Sequence, residues 1–241
     1  MTNDVQLYLV GGAVRDFFRG QESKDWDFAC EAESFDHMRQ WLIENNFTIF
    51  AETPKYFTLR ARAPKDQFKF GTMNLAGSTF DFTLCRLERD YTDGRRPDIV
   101  EVGTIYDDLS RRDFTMNAIA LDKQGRTIDP FDGLGDIFTR SIRCVGGVER
   151  LKEDALRMLR AMRFQIQLGM PMDIEITSFL ATEEAASLLS NVSTDRIRDE
   201  LTKMFKADSY ESIHLLSSFT EISWAIFGKD RAWLKPTTES K

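Results

Sequence analysis

Two aspartates one residue apart, Asp25 and Asp27, follow the glycine pair Gly11-Gly12 and Arg15 in the stretch LYLVGGAVRDFFRGQESKDWD. Carboxylates spaced this way on a strand point to one face. Their oxygens suit a hard cation such as Mg²⁺. Adjacent glycines let backbone N–H groups come close to a phosphate. Arg15 adds a planar cation for phosphate oxygens. Together these residues read as a metal-dependent nucleotidyl-transfer site.

The elements needed to position them are short. Leu7 to Val10 is an apolar strand, Gly11-Gly12 a turn, the segment with Arg15 and Asp16 a short helix, and the segment with Asp25 and Asp27 a second strand. In STFDFTLCR, aromatic and β-branched residues alternate with Asp81, Thr83 and Cys85. That alternation places Asp81 on a strand face, either turned toward Asp25 and Asp27 or facing solvent. In RRDFTMNA, Arg111 and Arg112 could clamp phosphates or ribose. There Asp113 could orient an arginine, and Asn117 could bond sugar or backbone. The plainer reading is a capped helix start with a surface arginine pair. In EDALRMLRAMRF, Asp154, Arg157, Arg160 and Arg163 recur every three residues and spiral opposite an apolar stripe. Taken alone, that face reads as solvated, with Glu153–Arg157 and Asp154–Arg157 pairs.

Around these motifs the spacing predicts a helix over Phe35 to Asn45 and strands over Phe57 to Ala61, Phe68 to Leu75 and Thr79 to Cys85. Residues 86–98 read as a charged, turn-rich loop. IDPFDGLGD leads into a short helix. From Gly147 the period becomes helical, with Leu151, Ala155, Met158, Leu159, Met162 and Ile166 on one stripe. Further helices are expected near Asp173–Thr182, Glu184–Leu189, Thr194–Phe205 and Tyr210–Phe219, with Ser193 or Thr194 as an N-cap. The last dozen residues read as frayed. The expected class is α+β: a mixed-sheet head over 1–145, then an all-helical module over 146–241.

Composition narrows the chemistry. The 241 residues are 42% hydrophobic and 29% charged, an ordinary globular balance. No apolar run is long enough to span a bilayer, and residues 1–12 carry no signal-peptide pattern. Three scattered cysteines without a CxxC pair argue against a disulfide framework or zinc site and point to a reducing cytoplasm. The two histidines, His37 and His214, stand alone in helical patterns, so carboxylates must carry any catalysis. A net charge of -7 does not by itself announce a nucleic-acid binder. Residues 140–165 are nonetheless basic, with seven Lys/Arg against three Asp/Glu.

In order along the chain, LVGGAVRD…KDWDF, ERDYTDGRRPDIVEV, DLSRRDFTMNAIA, DPFDGLGDI with Arg140, EDALRMLRAMRF and NVSTDRIRDELTKMF resemble the class II tRNA nucleotidyltransferase/poly(A) polymerase family. This family lies within the DNA polymerase β-like superfamily. In the last stretch Asp195 stands where the family more often has Glu. The resemblance implies that Asp25 and Asp27 are catalytic and ligate Mg²⁺. It also implies that Gly11, Gly12, Arg15 and Arg112 meet the triphosphate and ribose. Asp154 and Arg157 would read the base, and Arg160 and Arg163 would complete that pocket. The implied activity is template-independent addition of C and A to tRNA 3′ acceptor ends from CTP and ATP. An A-adding enzyme, a poly(A) polymerase and a silent RNA-binding remnant are the alternatives. Full-length members continue with body and tail domains, so the expectation is either a minimal enzyme that holds the acceptor end alone or a homodimer or partner chain that supplies the remaining tRNA grip. Members that add only CC tend to lack the 86–98 segment. No membrane partner is implied.

Overall fold

The computed structural model describes residues 4–23, 26–89 and 99–228. The chain divides into two compact units: Met1–Thr92 with Arg96–Thr139, and Asp93–Arg95 with Arg140–Lys241. The fold class is α+β. Asp25, the 90–98 segment and the chain end at 229–241 lie outside the described residues.

In the first unit, β1 (Gln6–Val10) leads through Gly11 into α1 (Gly12–Phe18) and β2 (Asp27–Glu31). Then come α2 (Phe35–Glu44), β3 (Thr48–Thr53) and β4 (Thr58–Arg62). The short strands β5 (Lys69–Phe70) and β6 (Met73–Asn74) precede β7 (Thr79–Leu84). They are followed by β8 (Arg86–Arg89), β9 (Ile99–Val102), α3 (Ile105–Ser110), β10 (Ala120–Asp122), β11 (Thr127–Ile128) and α4 (Gly133–Thr139). Among the described residues the main sheet has seven strands, in the order β11-β10-β1-β2-β7-β4-β3.

Alternation in sequence explains how the sheet presents its acids. Asp27 and Asp81 are register partners across the parallel β2–β7 pair, as are Phe28 and Phe82 one residue on. The side-chain period of two therefore sends the aspartates to one face and the phenylalanines to the other. On that apolar face Phe28 stacks on Phe82 at 5.3 Å and meets Phe70 and Phe80 edge to face. All four rings are fully buried. Such ring pairs each contribute about 0.5–1.5 kcal/mol beyond area burial. This layer fixes the register that sets Asp27 beside Asp81.

Local signals set the helices. Ser34 caps α2 by accepting from His37 N, and Met38 and Leu42, four apart, face the core. Thr104 and Asp107 form a capping box at α3. Two expected elements differ. Phe68 to Leu75 is not one strand, because Gly71 at φ +57° turns it into the β5–β6 hairpin. Residues 86–89 are not loop, because β8 pairs with β9 from Arg86↔Val102 to Arg89↔Ile99. That partner lies on the far side of a charged segment, where local pattern gives no sign of it.

The second unit is helical: α5 (Glu149–Glu153), α6 (Leu156–Leu168), α7 (Ile174–Leu180), α8 (Glu183–Ser190), α9 (Thr194–Ala207), α10 (Ser209–Ser217) and α11 (Thr220–Phe227). Its core joins Met158, Leu159 and Met162 of α6 with Ile197, Leu201 and Met204 of α9. Asp173, Thr182 and Asp208 cap α7, α8 and α10 through their side chains. Ser193 holds the N-cap position of α9 without a side-chain bond. Among the described residues, no helix is long and apolar enough to cross a membrane.

Candidate active site

The glycine turn is shaped for a close approach. Gly11 takes φ +76° and ψ -141°, a region open essentially to glycine. A Cβ there would lie 3.4 Å from Arg112 Nη1 and 3.8 Å from Asp27 Oδ2. At Gly12 a Cβ would lie 3.5 Å from Arg15 Nη2. The turn thus borders two guanidiniums and a carboxylate contributed by α1, β2 and the end of α3.

Each arginine is held from behind. Arg15 grips Asp16 with Nε at 2.9 Å and Nη2 at 3.0 Å, and its Nη1 donates to Asn117 Oδ1 at 2.9 Å. Arg112 Nη2 donates to Asp108 Oδ2 at 2.8 Å, and its Nη1 donates to the Asn117 carbonyl at 3.1 Å. Asp108 is 1% exposed and also takes both Nε and Nη2 of Arg111. Burial pushes the Asp108 carboxyl up, but the Arg112 and Arg111 guanidiniums outweigh it and hold the group below the ordinary carboxylate range. Arg111 and Arg112 therefore close α3 at its C-terminal end on a buried carboxylate; they are not a surface pair at a helix start. Arg111 is itself the C-cap of α3.

Asp27, Asp81, Asp108, Arg111 and Arg112 line one cavity of about 320 Å³ with Thr58 and Thr83. Asp81 shares the sheet face of Asp27, yet Arg60 holds it with two bonds of 2.6 Å. Among the described residues no group of three or more His, Cys, Asp or Glu is arranged to hold a metal ion. The donors that do border the cavity are carboxylate oxygens, which fit a hard divalent cation.

In the second unit the EDALRMLRAMRF stretch is not one helix. Asp154 is extended, at φ -143° and ψ 102°, and separates α5 from α6. Its Oδ1 accepts from Leu156 N at 3.1 Å, a side-chain-to-backbone bond that competes with helix continuation. Its Oδ2 accepts from Arg196 Nη2 of α9 at 2.7 Å. Of the two expected local pairs, Glu153–Arg157 is present at 2.9 Å, while Asp154 pairs with Arg196. Arg157 Nη1 also donates to the Arg150 carbonyl at 2.8 Å. Arg163 lies in the helical core, not on a solvated face. It is 8% exposed, bonds Glu200 at 2.6 Å and stacks over Phe164 at 4.1 Å. Arg160 lies 3.9 Å from Glu200, at the edge of the same cluster. Burial pushes the Glu200 carboxyl up, but Arg163, with Arg160 and Lys203, outweighs it and the group sits below the ordinary range. Sequence reasoning missed Asp108, Arg196 and Glu200. The signal was their position inside matched stretches; the partners of Arg196 and Glu200 are remote, whereas Asp108 pairs with Arg111 and Arg112 three and four residues on.

The class this head defines is a nucleotidyltransferase one. A family model described as the poly A polymerase head domain matches residues 7–143. A second, described as the probable RNA and SrmB-binding site of polymerase A, matches residues 171–219. The chain belongs to the tRNA nucleotidyltransferase/poly(A) polymerase family. It is 40% identical over 207 residues to the CCA-adding enzyme of Lactobacillus johnsonii, covering 83% of this chain and 46% of that one. The CCA-adding enzyme of Bacillus stearothermophilus, solved in complex with CTP, superposes with TM-score 0.71 at 31% identity, covering 88% and 47% of the two chains. A tRNA nucleotidyltransferase solved with a primer tRNA and an incoming ATP analog gives TM-score 0.71 at 27% identity, with 93% and 60% covered. The chain spans about half the length of the curated relatives it matches.

Proposed function

We propose that this chain transfers nucleotides to RNA 3′ ends without a nucleic-acid template, adding C and A to tRNA acceptor ends from CTP and ATP. The observation that carries this reading is the Gly11-Gly12 turn set against Arg112, Arg15 and Asp27. Its support also includes the relatives named for CCA addition and the solved structures that hold CTP, tRNA and an ATP analog.

In this reading the glycine turn offers backbone N–H groups to the triphosphate, and Arg15 and Arg112 balance its charge. Asp27, with Asp25 as the second carboxylate, would hold Mg²⁺. A divalent ion there supplies positive charge to the phosphate oxygens and lowers the pKa of the attacking 3′-hydroxyl. The residues of the head perform the transfer and leave the choice of base to others.

Base choice falls to Asp154 and Arg157 of the second unit. Cytosine and adenine both present an amino donor beside a ring-nitrogen acceptor, which a carboxylate and a guanidinium satisfy. Uracil and guanine present a carbonyl oxygen at the amino position and would leave Asp154 opposed by an acceptor. A buried polar group left unmatched costs roughly 1–3 kcal/mol, which suffices for selection. Arg160 and Arg163 act behind this pair, through Glu200 and Phe164.

The test is incubation with tRNA lacking its terminal CCA, Mg²⁺ and each labelled nucleoside triphosphate in turn. Incorporation of CTP and ATP, but not UTP or GTP, is expected. No incorporation overturns the reading; long tails from ATP alone on generic RNA replace it with poly(A) synthesis.

A further inference from the structure

We propose that Asn117 is a positioning residue that sets both guanidiniums of the phosphate side, Arg15 and Arg112, against the glycine turn. This rests on the reading of that turn as the triphosphate site.

Asn117 is 7% exposed and ends the 3₁₀ turn Thr115–Asn117. Its side chain and its backbone serve different arginines. The amide oxygen accepts from Arg15 Nη1 at 2.9 Å, and the backbone carbonyl accepts from Arg112 Nη1 at 3.1 Å. Arg15 comes from α1, more than a hundred residues upstream, and Arg112 from the end of α3. One buried residue thereby ties two elements that meet at the turn.

The amide cannot serve equally well in the flipped orientation. Its Nδ2 donates to Asp113 Oδ1 at 3.1 Å, and that oxygen also accepts from Phe114 N at 2.8 Å. A carboxylate on one side and a guanidinium on the other fix which end is oxygen. Asp113 orients Asn117, and Asn117 orients Arg15.

The neutrality of the amide matters. Asp16 already lies along the Nε/Nη2 edge of Arg15. A second carboxylate at position 117 would outnumber the guanidinium and oppose an incoming polyphosphate. Asparagine supplies an acceptor of the same shape without the charge. The two roles are separable: Asn117→Ala removes the acceptor that positions Arg15 and keeps the backbone carbonyl that Arg112 uses, whereas Asn117→Asp alters the charge balance.

Equilibrium titration of the full chain with CTP and with CMP tests this. Both ligands carry the same base and ribose, and only CTP carries the polyphosphate. Asn117→Ala is expected to weaken CTP roughly 10-fold, the scale of losing one hydrogen bond to a charged group, while CMP changes less than about 2-fold. Asn117→Asp keeps the side-chain volume, and it is expected to weaken CTP selectively as well. If Arg15→Ala weakens CTP but both Asn117 variants bind as wild type, the proposal is wrong. An equal loss of CTP and CMP in the Asn117 variants also overturns it, since that marks a general packing role. If neither Arg15→Ala nor Arg112→Ala affects CTP, the triphosphate reading itself fails and the proposal with it.

Discussion

Arg196 on α9 donates from Nη2 to Asp154 Oδ2 at 2.7 Å, across forty-two residues of chain. The carboxylate assigned to base reading is therefore aimed by an arginine of the NVSTDRIRDELTKMF stretch. Arg196→Ala is expected to leave CTP and ATP as substrates but to erode their preference over UTP and GTP roughly 10-fold, the scale of a charge-assisted bond. Asp154→Ala should erode it further. Competition between labelled nucleotides measures both; unchanged selectivity in the two variants would return this segment to a purely structural role.

Asp27 stands at the start of β2, with Asp81 beside it in register. Asp27→Ala should abolish transfer with every nucleotide while leaving the circular dichroism spectrum unchanged. Wild-type-like residual activity would contradict metal ligation by this residue. Asp81→Ala, which removes the partner of Arg60, should cost far less activity.

Gly11 holds dihedral angles, φ +76° and ψ -141°, that an L side chain rarely adopts. Gly11→Ala must either strain the backbone by about 1–3 kcal/mol or displace the turn from Arg112. Lower thermal stability together with a raised KM for CTP is expected from melting curves and initial rates. Unaltered values of both would show that the turn adapts.

The Arg163–Glu200 pair gives a pH signature. The Glu200 carboxyl lies below its ordinary range in the folded chain. Its contribution is complete above the unfolded value, about 4.3, and is lost as pH falls through the lower folded value. Glu200→Gln takes the carboxylate away from the buried Arg163, which keeps Gln167 and Phe164, and is expected to cost up to about 3–5 kcal/mol. Denaturant titrations should show the wild type ahead of Glu200→Gln by a constant margin from pH 8 to about pH 5, shrinking below about pH 4. A margin that is flat or widening into acid would refute the pairing.

Much of the head was legible because its signals are local. The apolar strand, the Gly11-Gly12 turn and the alternation of aspartate with phenylalanine each determine their own geometry within a few residues. The tertiary partners were not legible. Nothing near Asp154 announces Arg196, and nothing near Arg163 announces Glu200, thirty-seven residues on. Helical period alone placed Arg163 opposite the apolar stripe, yet a buried carboxylate draws it into the core. The break at Asp154 was hidden for a related reason. A side chain that accepts from the backbone N–H of Leu156, where the next helix begins, looks, in sequence, like one more polar position within a longer helix. The sequence offers Asn117 as a hydrogen-bonding partner for sugar or backbone; in the fold its amide bonds Arg15 and Asp113.

The most direct test of the central claim is the sequenced 3′ end of a tRNA transcript lacking CCA after reaction with this chain, Mg²⁺, CTP and ATP. Two cytidines followed by one adenosine, absent from the Asp27→Ala reaction, are expected. An unextended end, a run of adenosines, or extension that persists in Asp27→Ala would contradict it.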